Sequence, residues 1–435
     1  MHAIKTNEKH RIVGDYDIVI CGSGPAGLGA AVCAAKQGAK VIVLEAAALA
    51  GGTITAVPWM PINRLLLDGG KRSYAHDAFV RHFQKYGNHA TMPGPVNEVD
   101  GDGFCNHVEY SELAIYDMLD EAGVDLLLYS SVIDVVSENG CIKGVIVKEK
   151  QGYVTYRAKV VVDATGDGDV AALAGCVFAE GREEDGAHMP ITLGFSIGGI
   201  EKDIFFKWWD EEIDNKFYAM TEEAEKAGCY IPEWYLLYTG TLPGIIGVNH
   251  GAWRKQSPKS SGLSPYDMTQ ARKNGLRIAS DMVKILRENK VPGAEDCFLD
   301  RVAASLGVRD TRRIEGDYTV TYEDSQTDRR FPDTVARKHG YIDANHLFAG
   351  TMYSGFSYPY RSLVPKDVDG LLLAGRCGSA TWLGHSAGKS MGNMMELGAA
   401  AGTAAALCAE KNIKPRGLDT NLLRDVLTAK MRVKF

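Results

Sequence analysis

The chain has 435 residues, 45% hydrophobic and 24% charged. That is room for about two or three domains, and it is too apolar for a disordered chain. The net charge of −7 argues against a general nucleic-acid binder, and no run of 18 apolar residues exists to span a membrane.

In chain order, residues 1–14 form a polar tail without the apolar core of a signal peptide. Residues 16–21 (YDIVIC) predict a strand, 22–27 a glycine turn, 28–37 a small-residue helix and 41–44 (VIVL) a second strand. This order predicts a βαβ unit with a parallel strand pair. Residues 51–109 read as irregular, with prolines at 58, 61 and 93. A helix is expected at 112–122 and strands at 126–129, 132–137, 141–149 and 152–158, with Asn139-Gly140 as a hairpin turn. Residues 160–163 are a further buried strand. Residues 186–345 alternate less cleanly and carry Trp208, Trp209, Trp234 and Trp253. A buried strand at 370–374 and a small-residue helix at 392–408 follow. The expected fold is α/β, a Rossmann-like domain with a second α+β domain for substrate. The first comprises 15–75, 110–185 and 346–412, the second 76–109 and 186–345, and 413–435 is a C-terminal extension.

Gly22-Ser23-Gly24-Pro25-Ala26-Gly27 has G-x-G-x-x-G spacing between strand and helix, and Glu45 ends the next strand. That is the dinucleotide fingerprint. Gly22 permits the turn, Gly24 lets a pyrophosphate approach and Gly27 lets helix and strand pack. Glu45 suits a ribose. Three further segments favour FAD over NAD: Gly51-Gly52, VVVDATGDGD at 160–169 and LLLAGR at 371–376. Nine cysteines lack any CxxC spacing, which fits free thiols in a reducing cytoplasm, and no histidine grouping has metal-ligand spacing.

With LGVRDTRRIEGDY from Leu306, FPDTVAR from Phe331, YPYRSLVPK from Tyr358 and LLLAGRCGSAT from Leu371, the sequence resembles the FAD-dependent oxidoreductases. The resemblance is to the glutathione-reductase-like flavoprotein fold, related to fumarate-reductase and succinate-dehydrogenase-like flavoproteins, and covers about residues 15–409. It implies FAD held by Gly22, Gly24, Pro25, Ala26 and Gly27 at the pyrophosphate and Glu45 at the ribose. Gly52, Thr53, Ala164, Thr165, Gly166 and Asp167 are implied to line the cofactor, with Gly375 and Arg376 beside the pyrophosphate–ribityl stretch. The helix starting near Gly392 and Asn393 would aim its N-terminus at the flavin. The implied activity moves a hydride between a small polar substrate and the flavin, with an external electron acceptor or donor. Alternatives are reduction of an activated C=C bond and a flavin-binding subunit of an electron-transfer complex.

Proton transfer or substrate binding falls to His385, His250 and Arg361, with a structural histidine as the rival reading for each imidazole. Arg309 and Arg313 share a face if their segment is a strand, and would suit a carboxylate or phosphate. Ion pairing with Asp310, Glu315 or Asp317 is the rival reading. Tyr358 is a further candidate for the substrate cleft. Oligomeric state is left open.

Overall fold

The computed structural model describes residues 11–65, 71–87, 91–92, 105–240, 242–341 and 352–435. The short apolar runs at 18–21, 41–44, 160–163 and 371–373, which have no exposed position, form the parallel centre of a mixed sheet covered there on both faces. The expected βαβ unit is β1 (Arg11–Cys21), α1 (Pro25–Lys36) and β2 (Val41–Leu44). Helices α2 (Tyr74–Gln84) and α3 (Val108–Ala122) precede β3 (Asp125–Leu127). An antiparallel meander follows: β4 (Ser131–Glu138), β5 (Cys141–Glu149) and β6 (Gly152–Asp163). Next come β7 (Phe195–Gly198), β8 (Tyr235–Thr239), β9 (Ile246–His250), α4 (Pro265–Glu288) and β10 (Phe298–Val302). Strand β11 (Leu371–Leu373) and helix α5 (Met391–Lys411) complete the frame.

The first sheet runs β3-β2-β1-β6-β5-β4. The second half of β6 pairs in parallel with β11, Val161 opposite Leu371 and Asp163 opposite Leu373, while its first half pairs antiparallel with β5. Alternate residues enter opposite cores, as a pleated strand requires. Ile18, Ile20, Val43, Val162 and Leu372 face one core; Val19, Cys21, Leu44, Val161 and Leu373 face the other. Helix α5 lies on the first of these faces beside α1. The two helices meet at backbone distance. A Cβ on Gly398 would stand 1.9 Å from Ala26 O, and one on Gly402 2.0 Å from Ala30 O. The second sheet, β8-β9-β7-β10, is antiparallel and has its own core with α4, including Phe195, Ile246, Ile278 and Met282.

Several expectations change. Strand β1 begins at Arg11, so residues 11–14 are not tail; residues 1–10 lie outside the described residues. The stretches 152–158 and 160–163 are one strand, because β1 pairs with it from Val154 to Asp163 with a single register shift between Val13 and Tyr16. Residues 51–109 are not uniformly irregular. Helix α2 is capped by Ser73 Oγ, which accepts from His76 N, and it buries Ala75, Phe79 and Phe83; residues 88–90 and 93–104 lie outside the description. The cores also divide differently from the expected domains. Phe79 and Phe83 of 76–109, Val320, Val335 and Ala336 of 186–345, and Leu423 and Leu427 of 413–435 all join the core under α1 and α5. The expected join at 345–346 falls outside the described residues.

Candidate cofactor and substrate site

In an open parallel sheet, ligands sit outside the carboxyl ends of the strands, where the strand order reverses. Here β1 lies between β2 and β6, and Cys21, Leu44, Ala164 and Ala374, at or just past four strand ends, line one cavity of about 810 Å³. The ends are laced together: Gly22 N donates to Leu44 O at 2.8 Å and Ala164 N to Cys21 O at 2.8 Å. Gly22 has φ +99°, and a Cβ there would strike Ala164 O at 2.4 Å, so the turn admits glycine alone.

Glu45 closes this turn. Its Oε2 accepts from Ser23 N at 2.8 Å and Ser23 Oγ at 2.6 Å, and its Oε1 from Ala47 N at 2.8 Å. Beneath the turn after β6, Asp163 accepts from Thr165 N, Thr165 Oγ1 and Ala171 N. Full burial still pushes its carboxyl up to about 6, the three donors acting against that shift. Above it, Asp167 Oδ1 accepts from Arg376 Nη1 at 2.9 Å and from Thr311 Oγ1 at 2.8 Å.

The facing wall comes from elsewhere. Gly392 N, in the first turn of α5, donates to Asn63 O at 3.0 Å. Asn63 and Arg64 line the cavity, and Arg64 is buried with φ +63°. A bulky residue in the left-handed region costs about 1–3 kcal/mol and marks a segment fixed by its surroundings. The second sheet and its flanks add Thr192, Asn249 and Arg309. Arg309 Nη1 donates to Thr192 Oγ1 at 3.0 Å and to Pro190 O at 3.1 Å, and its Nη2 to Asn249 Oδ1 at 3.3 Å. Lys389, just before α5, lines the same wall and donates to Arg309 O at 3.3 Å.

A family model described as FAD dependent oxidoreductase matches residues 17–427. The chain belongs to this family. Soluble pyridine nucleotide transhydrogenases match a short stretch. That of Marinomonas sp. (strain MWYL1) is 48% identical over 50 residues and that of Ectopseudomonas mendocina (strain ymp) 49% over 53; each match is 12% of this chain and 11% of the relative. Among solved structures, a geranylgeranyl bacteriochlorophyll reductase-like protein from Thermoplasma acidophilum is similar over 97% of this chain and 84% of its own, with TM-score 0.52 and 14% identity. A flavin-dependent brominase is similar over 95% and 83%, with TM-score 0.50 and 16% identity. At these identities the likeness is one of fold. No described helix is long and apolar enough to cross a membrane.

The residues present fit the cofactor of an FAD dependent oxidoreductase. The N-cap of α1, Gly24, makes no side-chain hydrogen bond to the helix, which leaves the first N–H groups for an anion. A Cβ on Gly24 would meet no protein atom within 4 Å, while Gly24 itself lines the cavity. The volume lies within the roughly 300–1,000 Å³ common for ligand pockets.

The cavity brings together Gly22, Gly24, Pro25, Ala26, Glu45, Gly52, Thr53, Ala164, Thr165, Gly166, Asp167, Arg309, Gly375 and Arg376. Gly27 stands behind the turn, where a Cβ would lie 1.9 Å from Gly22 O. At the start of α5 the lining residues are Gly388 to Met391 and Met394; Gly392 and Asn393 turn inward, Asn393 Nδ2 donating to Gly388 O.

The three residues expected to be catalytic do not line the cavity. His385 is buried behind the wall with Nε2 3.0 Å from Arg309 O. Burial, with the charge of Lys389, pushes it down to about 3, so the neutral ring donates to that carbonyl. His250 is buried with its ring nitrogens 2.6 Å from Gly251 O and 2.9 Å from Leu193 O, and burial lowers its pKa too. Arg361 is largely exposed and pairs with Asp333 at 2.9 Å.

Arg313 and Tyr358 also lie off the cavity. Arg309 is not in a strand, so the two arginines do not share a strand face. Arg313 is buried, donating to Gly181 O at 2.8 Å and Glu183 Oε1 at 3.0 Å; its ion-pair partner is none of the three acids expected. Tyr358 is a core residue with Lys338 Nζ 3.9 Å from its ring centre. Asn63, Arg64, Thr192, Asn249 and Lys389 belong to no motif and were not legible as lining residues.

Proposed function

We propose that this chain is an oxidoreductase moving a hydride between a small polar organic substrate and FAD, with electrons passed to or from an external partner. The observation that carries this reading is the single cavity shared by the glycine turn of β1 and α1 and the wall of Thr192, Asn249 and Arg309. Bound FAD would supply a ring that accepts or gives a hydride at N5. The chain's residues do the rest. The N-terminus of α1 and Gly24 would hold the diphosphate, Glu45 the adenosine ribose, and Arg376, fixed by Asp167, the stretch from the diphosphate to the ribityl chain. Gly388, Ser390 and Met391 would lie against the ring, with Lys389 turned to the substrate wall. The second sheet would orient the substrate from the opposite side and close it from water.

The order β3-β2-β1-β6 with its antiparallel meander supports a fold of the glutathione-reductase type. Reduction of an activated C=C bond is the second reading; it is favoured by the cationic lining at Arg309 and Lys389, which would polarise a substrate acid. The test is the visible spectrum of the purified protein before and after heat denaturation and filtration. A flavin band carries the reading forward, and anaerobic bleaching by substrate, or reoxidation of reduced protein by an enoate, gives the direction. A protein that binds no flavin, even on reconstitution with FAD, refutes it.

A further inference from the structure

The charges lining the cavity are not evenly spread. Its carboxylates are Glu45, Asp167 and Asp169. Glu45 is engaged by Ser23 and Ala47, Asp167 by Arg376 and Asp169 by Arg312. The wall opposite the parallel sheet carries Arg309 and Lys389, with the buried Arg64 on the segment that clasps α5. A wall that presents cations attracts anions to that side of the cavity.

Arg309 is also built to hold one orientation. Three neutral oxygens, of Pro190, Thr192 and Asn249, grip two of its nitrogens, and the indole of Trp234 lies 5.9 Å from its Cζ. Its backbone oxygen takes a hydrogen bond from His385 and one from Lys389, so the two cations are joined through a single carbonyl. Behind them Asp310 Oδ1 accepts from Met189 N at 2.8 Å and its Oδ2 from Trp382 Nε1 at 3.0 Å. A planar fork fixed this firmly suits a planar anion, and a compact ammonium beside it adds a second point of attraction.

We propose that Arg309 and Lys389 form a carboxylate-binding wall, so that the substrate is a small organic acid anchored by its carboxylate. This assignment rests on the reading of the cavity as a flavin and substrate site. His385 and Asp310 serve it as positioning residues that hold Arg309 and its neighbours from behind.

The test uses the full chain loaded with FAD. Flavin content is measured first, from the visible band. Glycolate, malonate and succinate, their neutral amides and inorganic phosphate are then titrated against the flavin difference spectrum and by calorimetry. The expected result is that a carboxylate binds about tenfold or more tightly than its amide and than phosphate. Arg309→Gln and Lys389→Gln should each weaken it about tenfold or more while retaining flavin. Should Arg309→Gln fail to fold, Arg309→Lys, which keeps the charge and loses the fork, and Lys389→Gln carry the comparison.

Carboxylates that bind no better than amides, phosphate that binds as well, or variants that bind carboxylate unchanged overturn the proposal. Variants that lose flavin instead would show that these cations serve the cofactor, and overturn it too. A wild-type chain that takes up no flavin refutes the underlying reading, an outcome visible before any acid is added.

Discussion

Replacing Gly402 by alanine tests the contact that holds the site together. In an exposed helix the change would stabilise by about 1 kcal/mol, because glycine costs that much in a helix interior. At Gly402 the new Cβ would lie 2.0 Å from Ala30 O and 2.6 Å from Ala30 C and Cα, against backbone that cannot turn aside. Ordinary contact needs more than 3.4 Å. Helices α1 and α5 must therefore part by more than about 1 Å, which loosens dispersion contacts along the seam. Overpacking of this kind costs about 1–3 kcal/mol before the helical gain is subtracted. The expected net loss is up to about 2 kcal/mol, read as a lower urea midpoint with unchanged slope. Gly417→Ala is the control, since a Cβ there meets nothing within 4 Å. A Gly402→Ala protein as stable as wild type, or more so, would refute the close seam.

Three further outcomes follow from single residues. Gly24→Ala should cost the fold less than about 1 kcal/mol, since its Cβ meets no protein atom, yet lower FAD affinity about tenfold; Gly27→Ala, aimed at Gly22 O, should lower the unfolding midpoint of the flavin-free protein itself, and equal effects at both sites would contradict this division. Glu396 is fully buried on α5, 3.8 Å from His76 of α2, with Ser73 and Cys33 facing it, and burial pushes its carboxyl up to about 7. The folded state then binds the extra proton, so stability falls as pH rises from the ordinary 4.5 through about 7, by up to about 3 kcal/mol. Glu396→Gln should remove that fall, and urea midpoints at pH 5 and 8 that part by the same amount in both proteins would refute it. Asp310→Asn leaves one of Met189 N and Trp382 Nε1 without an acceptor and should cost about 1–3 kcal/mol. It should also lower the pKa of His188, which Asp310 raises, and an unmoved His188 titration by NMR would contradict that.

The first βαβ unit was legible because its apolar runs are pure and glycines cut them: Gly22 ends β1 and Gly38 follows α1. Helix α2 was hidden among prolines and histidines, although its buried Ala75, Phe79 and Phe83 recur every four residues behind a Ser73 cap. The motif half of the cavity could be read since local chain geometry builds it. The opposite wall could not. Arg64, Asn249 and Lys389 are far apart in sequence and meet only in the folded chain. His385 and His250 were singled out by what an imidazole can do, and sequence does not tell which side of a wall a ring occupies. Their buried surroundings and carbonyl partners make them supports.

The glycine seam also has a bearing on synthesis. Helix α1 ends at Lys36, and its partner Gly402 leaves the ribosome roughly 370 residues later. At about 5–20 residues per second the wait is roughly 20–70 s. During that interval the face of α1 that will receive α5 stays uncovered, and alanine and glycine keep it less adhesive than a leucine-rich face. Because α5 also supplies a late stretch of cavity wall, nascent chains stopped before α5 are expected to be released without flavin.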